Sequence, residues 1–302
     1  MGQKANSNIL RIDMGNRTWK SKYFEKTKEE SSVLVFQDIE IRNFIDRFFT
    51  SNGLFLYNCK INRSNSDIVI FVSYFMLLDA ITEIVSVNNE ISKKITDKNI
   101  SDFSKISTYF EKKKKLYRIK YQKKINFISH NFISKLIASL NIFLNKKYKI
   151  KVILQNLNKG MSCRLTNSEA IEFRNVVMQL RPYHNSSFFK EIMHIFIVLL
   201  KNDLQVKILT EFIALKLSQL KKHNYFLTFL KRIFNLFINS KVFKISGVKL
   251  KIKGRFNGAP RSNTRLIQIG KVPLQTLTLD INYSCSVSYT TNGTFGVQLW
   301  VF

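Results

Sequence analysis

The sequence predicts an α+β protein of about two domains. Three observations carry that prediction. The chain has 302 residues, 45% of them hydrophobic, enough to bury more than one small core. Stretches with helical apolar spacing are interspersed with short period-two stretches. The last third changes from helical to strand periodicity at Gly247, which places two helices ahead of a mainly antiparallel sheet.

Residues 1–30 are basic and polar without periodicity and read as an extended arm. From Asp38 to Thr50, Ile41, Phe44, Ile45 and Phe48 fall at helical spacing, and Ser51-Asn52-Gly53 stops the helix. Two strands follow, Leu54 to Ile61 and Ile68 to Tyr74, joined by a polar turn. From about 76 to 125 the character changes to a basic insertion. Its Lys112 to Lys124 window holds eight basic residues in thirteen and no acid. That block reads either as a solvated insertion or as a phosphate-contacting arm. A helix then resumes over 130–145, with Phe132, Leu136 and Leu140 on one face, and a strand runs from Lys149 to Leu157. Residues 161–202 form a helical extension, Ser168 to Leu180 and Phe188 to Leu200, interrupted at Pro182.

The final domain spans 203–302. Leu204 to Lys222 and Tyr225 to Asn239 read as amphipathic helices, each with a basic edge (Lys216, Lys221 and Lys222, then Lys231 and Arg232). From Gly247 the period is two. Val248, Leu250, Ile252 and Phe256 face one way, and Lys249, Lys251, Lys253 and Arg255 the other. At ~3.3 Å per residue these four cations span about 20 Å of one strand face, a pattern that favours a polyanion over plain solvent. Leu274 to Tyr283 alternates again and is expected as a strand, and Phe295 to Phe302 as the terminal one.

Charge narrows the function. With 49 Lys plus Arg against 20 Asp plus Glu, the formal net charge is +29. Such an excess repels itself in a folded chain and calls for a neighbouring polyanion, nucleic acid first and an anionic membrane surface second. No apolar run approaches the ~20 residues that span a bilayer, and Met1-Gly2-Gln3-Lys4 does not start an apolar leader. Cys59, Cys163 and Cys285 are isolated, and His130, His184, His194 and His223 lack metal-ligand spacing, so they read as surface or packing residues and no metal site or cofactor is expected. The abundance of Lys, Asn, Ile and Phe beside scarce Gly and Pro (10 and 3) points to AT-rich coding DNA, as in organellar and some parasite genomes.

Four stretches in fixed order resemble a family. Gly247-Val248-Lys249-Leu250-Lys251-Ile252-Lys253-Gly254-Arg255-Phe256-Asn257-Gly258-Ala259, Gly270-Lys271-Val272-Pro273-Leu274-Gln275-Thr276-Leu277, Asp280-Ile281-Asn282-Tyr283 and Gly293 to Phe302 are similar to the C-terminal signature of small-subunit ribosomal protein S-three. Met1-Gly2-Gln3-Lys4-Ala5-Asn6 through Leu10-Arg11 to Trp19 resembles that family's N-terminal arm, and with this composition the likeness is to mitochondrially encoded forms. The resemblance implies a KH-type (type II) module over 31–160, interrupted by the insertion. It implies a place in the small-subunit head at the mouth of the messenger channel, with small-subunit rRNA, mRNA and neighbouring head proteins as partners, no membrane and no enzymatic activity.

The expected rRNA contacts are Gly2, Gln3, Lys4 and Arg11 in the arm, Lys249, Lys251, Lys253 and Arg255 on the basic strand, and Arg261, Arg265 and Lys271 beyond it. Two departures from the family stand out. A nucleic-acid-clamping KH module uses a Gly-x-x-Gly loop, yet no glycine occurs between Gly53 and Gly160; Gly293 to Gly296 is the sole such spacing, in the C-terminal hairpin. The family's channel arginines follow a Phe, where this chain has Phe226-Leu227-Thr228-Phe229-Leu230-Lys231-Arg232. Lys231 and Arg232 are therefore the expected messenger contacts, with Lys221, Lys222 and His223 as reserves of charge. A free RNA-binding factor shares the charge but would be expected to keep the glycine loop. A nuclease would need clustered carboxylates for metal ions, and Glu29, Glu30, Glu169, Glu172 and Asp280 do not assemble them.

Overall fold

The computed structural model describes residues 6–11, 19–76, 132–157, 167–186, 188–193, 195, 206–239 and 245–302. Gly2, Gln3, Lys4, the lysine block, His130, His194 and Cys163 lie outside these residues. The chain divides into two compact units, one built from 20–74 and 79–155, the other from 1–19, 75–78 and 156–302.

In the first unit, helix α1 (Lys28–Ser51) begins ten residues before the expected start. Glu29 and Glu30 favour the positive end of the helix dipole, and Glu30 also accepts the Lys26 N–H at 3.0 Å. Its inward stripe is Asp38, Ile41, Ile45 and Phe49. The helix ends where Asn52 Nδ2 donates to the Phe48 carbonyl and Gly53 takes a positive φ of 71°. Strands β2 (Leu54–Arg63) and β3 (Asp67–Met76) form a hairpin, closed by Ser64 N–H donating to the Asp67 carbonyl at 2.8 Å. Strand β1 (Ser21–Lys22) runs parallel to β2 in register with Ile61 and Asn62, so part of the presumed arm belongs to this sheet. Helix α2 (132–143) buries Phe132, Leu136 and Leu140, with Phe132 packed edge-on against Phe49. Strand β4 (Lys149–Asn156) completes the order β1-β2-β3-β4.

The second unit carries α3 (Asn167–Gln179), a short 3-10 turn at Arg181–Tyr183, helical residues 188–193, α4 (Val206–Gln219) and α5 (Asn224–Asn239). Phe226, Phe229, Leu230, Ile233, Phe234 and Phe237 make the buried stripe of α5, and Tyr183 and Phe188 lay their rings on Phe229 at 5.0 and 4.9 Å. Helix α4 packs on a four-stranded sheet of order β6-β5-β8-β7, made of β5 (Gly247–Gly254), β6 (Asn263–Gly270), β7 (Asn282–Thr290) and β8 (Gly293–Val301), every pairing antiparallel. Val248, Leu250, Ile252, Val297 and Leu299 form the core face. Gly254 is required there, because a Cβ would stand 2.2 Å from the Phe295 ring. The inner face of β7 is polar instead: the Thr210 and Ser284 hydroxyls meet at 2.9 Å, and Ser286 donates to the Thr210 carbonyl of α4.

Two sequence expectations fail in this unit. The strand expected over Leu274 to Tyr283 is irregular up to Ile281, and the strand that follows β5 and pairs with its outer edge is β6, at 263–270. The basic edge of α4 also loses a member. Lys216 is buried, its ammonium 2.9 Å from Glu191 and 3.0 Å from Gln219 Oε1.

Candidate nucleic-acid interface

The sheet register decides where each cation points. On the face away from α4 and α5, Lys249 lies between Gln268 and Trp300, Lys251 between Leu266 and Gln298, and Lys253 between Thr264 and Gly296. Beyond β8 the same face continues through Tyr283, Cys285, Val287 and Tyr289 of β7. The alternation read from the sequence thus becomes a lysine stripe along the middle of an open sheet face. Strands β5 to β8 contain no Asp or Glu, so no carboxylate on them competes for these lysines.

The stripe is not uniform. Lys249 and Lys251 are half-buried and Lys253 is exposed. The Lys249 ammonium lies 5.9 Å from the centre of the Trp300 ring, and Trp300 in turn stacks on Tyr283 with ring centres 5.1 Å apart. Burial pushes the Tyr283 phenol above its ordinary range, and Cys285 beside it adds to the shift. Arg255, past the end of β5, is exposed and donates its Nε–H to the Ala259 carbonyl at 2.8 Å.

The remaining expected sites separate. Arg261 and Lys271 are exposed in the segments flanking β6. Arg265 is exposed too, but it pairs with Ile252 and so lies on the helix-bearing side, opposite the lysine stripe. Lys231 and Arg232 are both exposed on α5, as are Lys221 and Lys222 just before it. His223 is no reserve of charge. It is 3% exposed, its Nδ1 accepts the Asn257 N–H at 3.2 Å, and the remaining ring nitrogen lies 3.3 Å from the Leu217 carbonyl. With its own N–H donating to Asn257 Oδ1 as well, His223 clasps the turn before α5 to the turn after β5.

Arg11 departs furthest from expectation. The guanidinium is 1% exposed and donates to the carbonyls of Leu279, Thr276, Leu274 and Ser7 at 2.8, 2.8, 3.2 and 3.3 Å. Next to it Asn8 completes the open edge of β7, its Nδ2 donating to the Tyr283 carbonyl and its Oδ1 accepting the Tyr283 N–H. A side chain so enclosed has no face left for a phosphate. Residues 6–11 are instead a structural part of the second unit, and the expected rRNA contact at Arg11 is corrected. Gly293 and Gly296 are not a phosphate loop either: Gly293 turns the β7–β8 hairpin at φ 120°, and Gly296 lies within β8.

Among the described residues no group of three or more His, Cys, Asp or Glu could hold a metal ion, and no helix is long and apolar enough to cross a membrane. The fold and the site together define a strongly basic α+β scaffold protein with a cationic sheet face. A family model described as "Ribosomal protein S3, C-terminal domain" matches residues 217–301. The small ribosomal subunit protein uS3 of Phytoplasma mali is 30% identical over 59% of this chain and 68% of its own. The uS3c protein of Euglena longa is 25% identical over 100% of this chain and 99% of its own. That of Cyanidium caldarium is 47% identical over a shorter stretch, 19% of this chain and 28% of its own. The chain belongs to the uS3 family of small ribosomal subunit proteins. It is a structural, non-enzymatic constituent of the subunit, associated with rRNA and other subunit proteins.

Proposed function

We propose that this chain serves in an organellar ribosome, the mitochondrial one, where it holds rRNA in the head of the small subunit and lines the mouth of the messenger channel. The observation that carries the rRNA part is the alternation of Lys249, Lys251 and Lys253 along one face of β5, extended by Arg255. Cations at every second residue of a strand present charge at intervals of about 6.7 Å, and each phosphate they neutralise releases counterions. Arg261 and Lys271 flank this surface, and Gly2, Gln3 and Lys4 are assigned to rRNA with them. Arg265 belongs to a separate contact on the opposite side, and Arg11 drops out because it is enclosed by carbonyls.

Lys231 and Arg232 supply the messenger contact, supported by their exposure on α5 beside Leu227 and Thr228, which bring no charge. The order α1-β2-β3-α2-β4 supports a KH-type module over 31–160 that no longer clamps nucleic acid through glycines. The extension over 161–202 and the domain over 203–302 follow it. Composition and the two uS3c relatives support the organelle.

The test is sedimentation of the epitope-tagged chain from isolated mitochondria in high salt. Comigration with the mitochondrial small subunit, with crosslinks from the β5 stripe to its rRNA and from Lys231 to message, is the expected result. Comigration with another ribosome would refute the location, and crosslinks confined to protein neighbours would refute the RNA contacts.

A further inference from the structure

Beyond phosphate contacts, the open sheet face has a second kind of surface. Tyr289 is 76% exposed and Val287 55% exposed on edge strand β7, on the same face as the lysine stripe. Between Val287 and Lys253 the register places Gly296, and a Cβ added there would meet nothing within 4 Å. The floor of the face is therefore open at this point, with an apolar wall on one side and an ammonium on the other. Tyr289 is a diagonal neighbour of Gly296, within reach of an aromatic ring at about 7–8 Å. At the other end of the face Trp300 is covered by Tyr283 and Lys249 and is not available for stacking.

We propose that this end of the face binds unpaired RNA, with a base stacked on the Tyr289 ring over Gly296 and its flanking phosphates held by Lys251 and Lys253. The occupant follows from the chemistry. Lysines without an acid on any of the four strands select an anion. An exposed aromatic ring beside an open glycine selects a flat π-face, and unpaired RNA offers both in one ligand. A duplex offers phosphates but keeps its bases stacked on each other, so it uses the lysines and ignores Tyr289. The proposal rests on the RNA-binding reading above and adds the class of RNA to it.

The experiment titrates the full chain with oligo(A) carrying 2-aminopurine and with an RNA duplex of equal length, at several salt concentrations. Binding of the wild-type chain should change 2-aminopurine emission by stacking. Y289A should weaken oligo(A) binding by about 5- to 100-fold and abolish that emission change, leaving duplex affinity and both salt slopes intact. Y289F, which keeps the ring, should behave as wild type. Combined K251Q and K253Q should flatten the slope for oligo(A) by roughly 1.4. Equal loss for both RNAs in Y289A, or no loss for either, overturns the stacking site while leaving phosphate binding in place. If neither RNA binds the wild-type chain, the RNA-binding reading itself falls. If Y289A binds oligo(A) normally but fails to join subunits, the face is a protein interface and the proposal is wrong.

Discussion

Strands β2 and β5 both carry cations, and the two regions use them oppositely. At the end of β2, Arg63 turns inward, where its Nε and Nη2 both approach Asp38 at 2.7 Å and Nη1 donates to Gln37 Oε1 at 3.0 Å. Along β5 the lysines turn outward on a sheet whose four strands contain no Asp or Glu. Lys216 and Arg11 follow the β2 pattern, enclosed by Glu191 and by backbone carbonyls. The difference teaches that net charge does not identify the polyanion-facing groups. What separates the two kinds of cation is their surroundings: those of β5 alternate on a sheet whose strands carry no acid, whereas Arg63, Lys216 and Arg11 are enclosed by partners and hold the fold.

The largest effect should come from breaking an enclosed pair. Glu191→Ala strands the Lys216 ammonium, 4% exposed, without its carboxylate, and removing one member of a buried pair costs about 3–5 kcal/mol. Urea denaturation followed by the fluorescence of Trp300, which lies in the same unit, should show that loss. A change near zero would mean that Lys216 escapes to solvent and belongs with the open cations. Arg11→Ala should come next, at about 2 kcal/mol, because several carbonyls lose a charged donor at once. Limited proteolysis should then cut the 271–281 segment faster. Cutting at the wild-type rate would restore Arg11 to the RNA-contact set.

Replacing Lys249, Lys251, Lys253 and Arg255 together by Gln tests the other side of the comparison. Stability should move by no more than about 0.5 kcal/mol, the usual range for surface changes. The slope of log affinity against log salt should flatten by roughly three units. A large fall in the denaturation midpoint would place these side chains among the structural ones, with the Lys249 contact to Trp300 as the first suspect.

Much of this was legible in the sequence, for identifiable reasons. The stripe of α5 and the alternation of β5 are strong because each pairs a fully apolar face with a polar one, so period alone places them. Strand β6 was not legible. It is an edge strand whose residues are mostly exposed, with polar and apolar side chains mixed on both faces. The error at 274–283 has a chemical cause: Leu274, Leu277 and Leu279 mimic a strand, but the carbonyls of Leu274, Thr276 and Leu279 turn to one guanidinium instead of a neighbouring strand. Arg11 itself, 263 or more residues away in the chain from those carbonyls, had no local signal. Tyr289 and Gly296 could have been found only by assuming the β7–β8 register, since their shared face exists only once the strands pair. The clasp of His223 on Asn257 likewise needs the tertiary fold.

The smallest effect concerns an open ion pair that links two strands of the first sheet. Lys151 of β4 donates to Asp67 Oδ2 of β3 at 3.1 Å, and this hydrogen bond, with the charge of the same ammonium, holds the Asp67 carboxyl below its ordinary range. The sign follows from linkage. A carboxyl with a depressed native pKa binds fewer protons folded than unfolded, so its stabilisation is present above the unfolded pKa and disappears as pH falls through the folded one. Lys151→Gln should therefore move the Asp67 titration midpoint upward, toward an unperturbed aspartate, when followed by carboxyl NMR shifts. Raising the ionic strength should do the same more weakly, because the Lys151 side chain is 65% exposed and its field is screened. Stability at neutral pH should hardly change in the variant. If the midpoint stays low in K151Q, the charge of Lys149, also placed near Asp67, is the stronger influence, and the pair at β3–β4 is incidental to how that sheet is held.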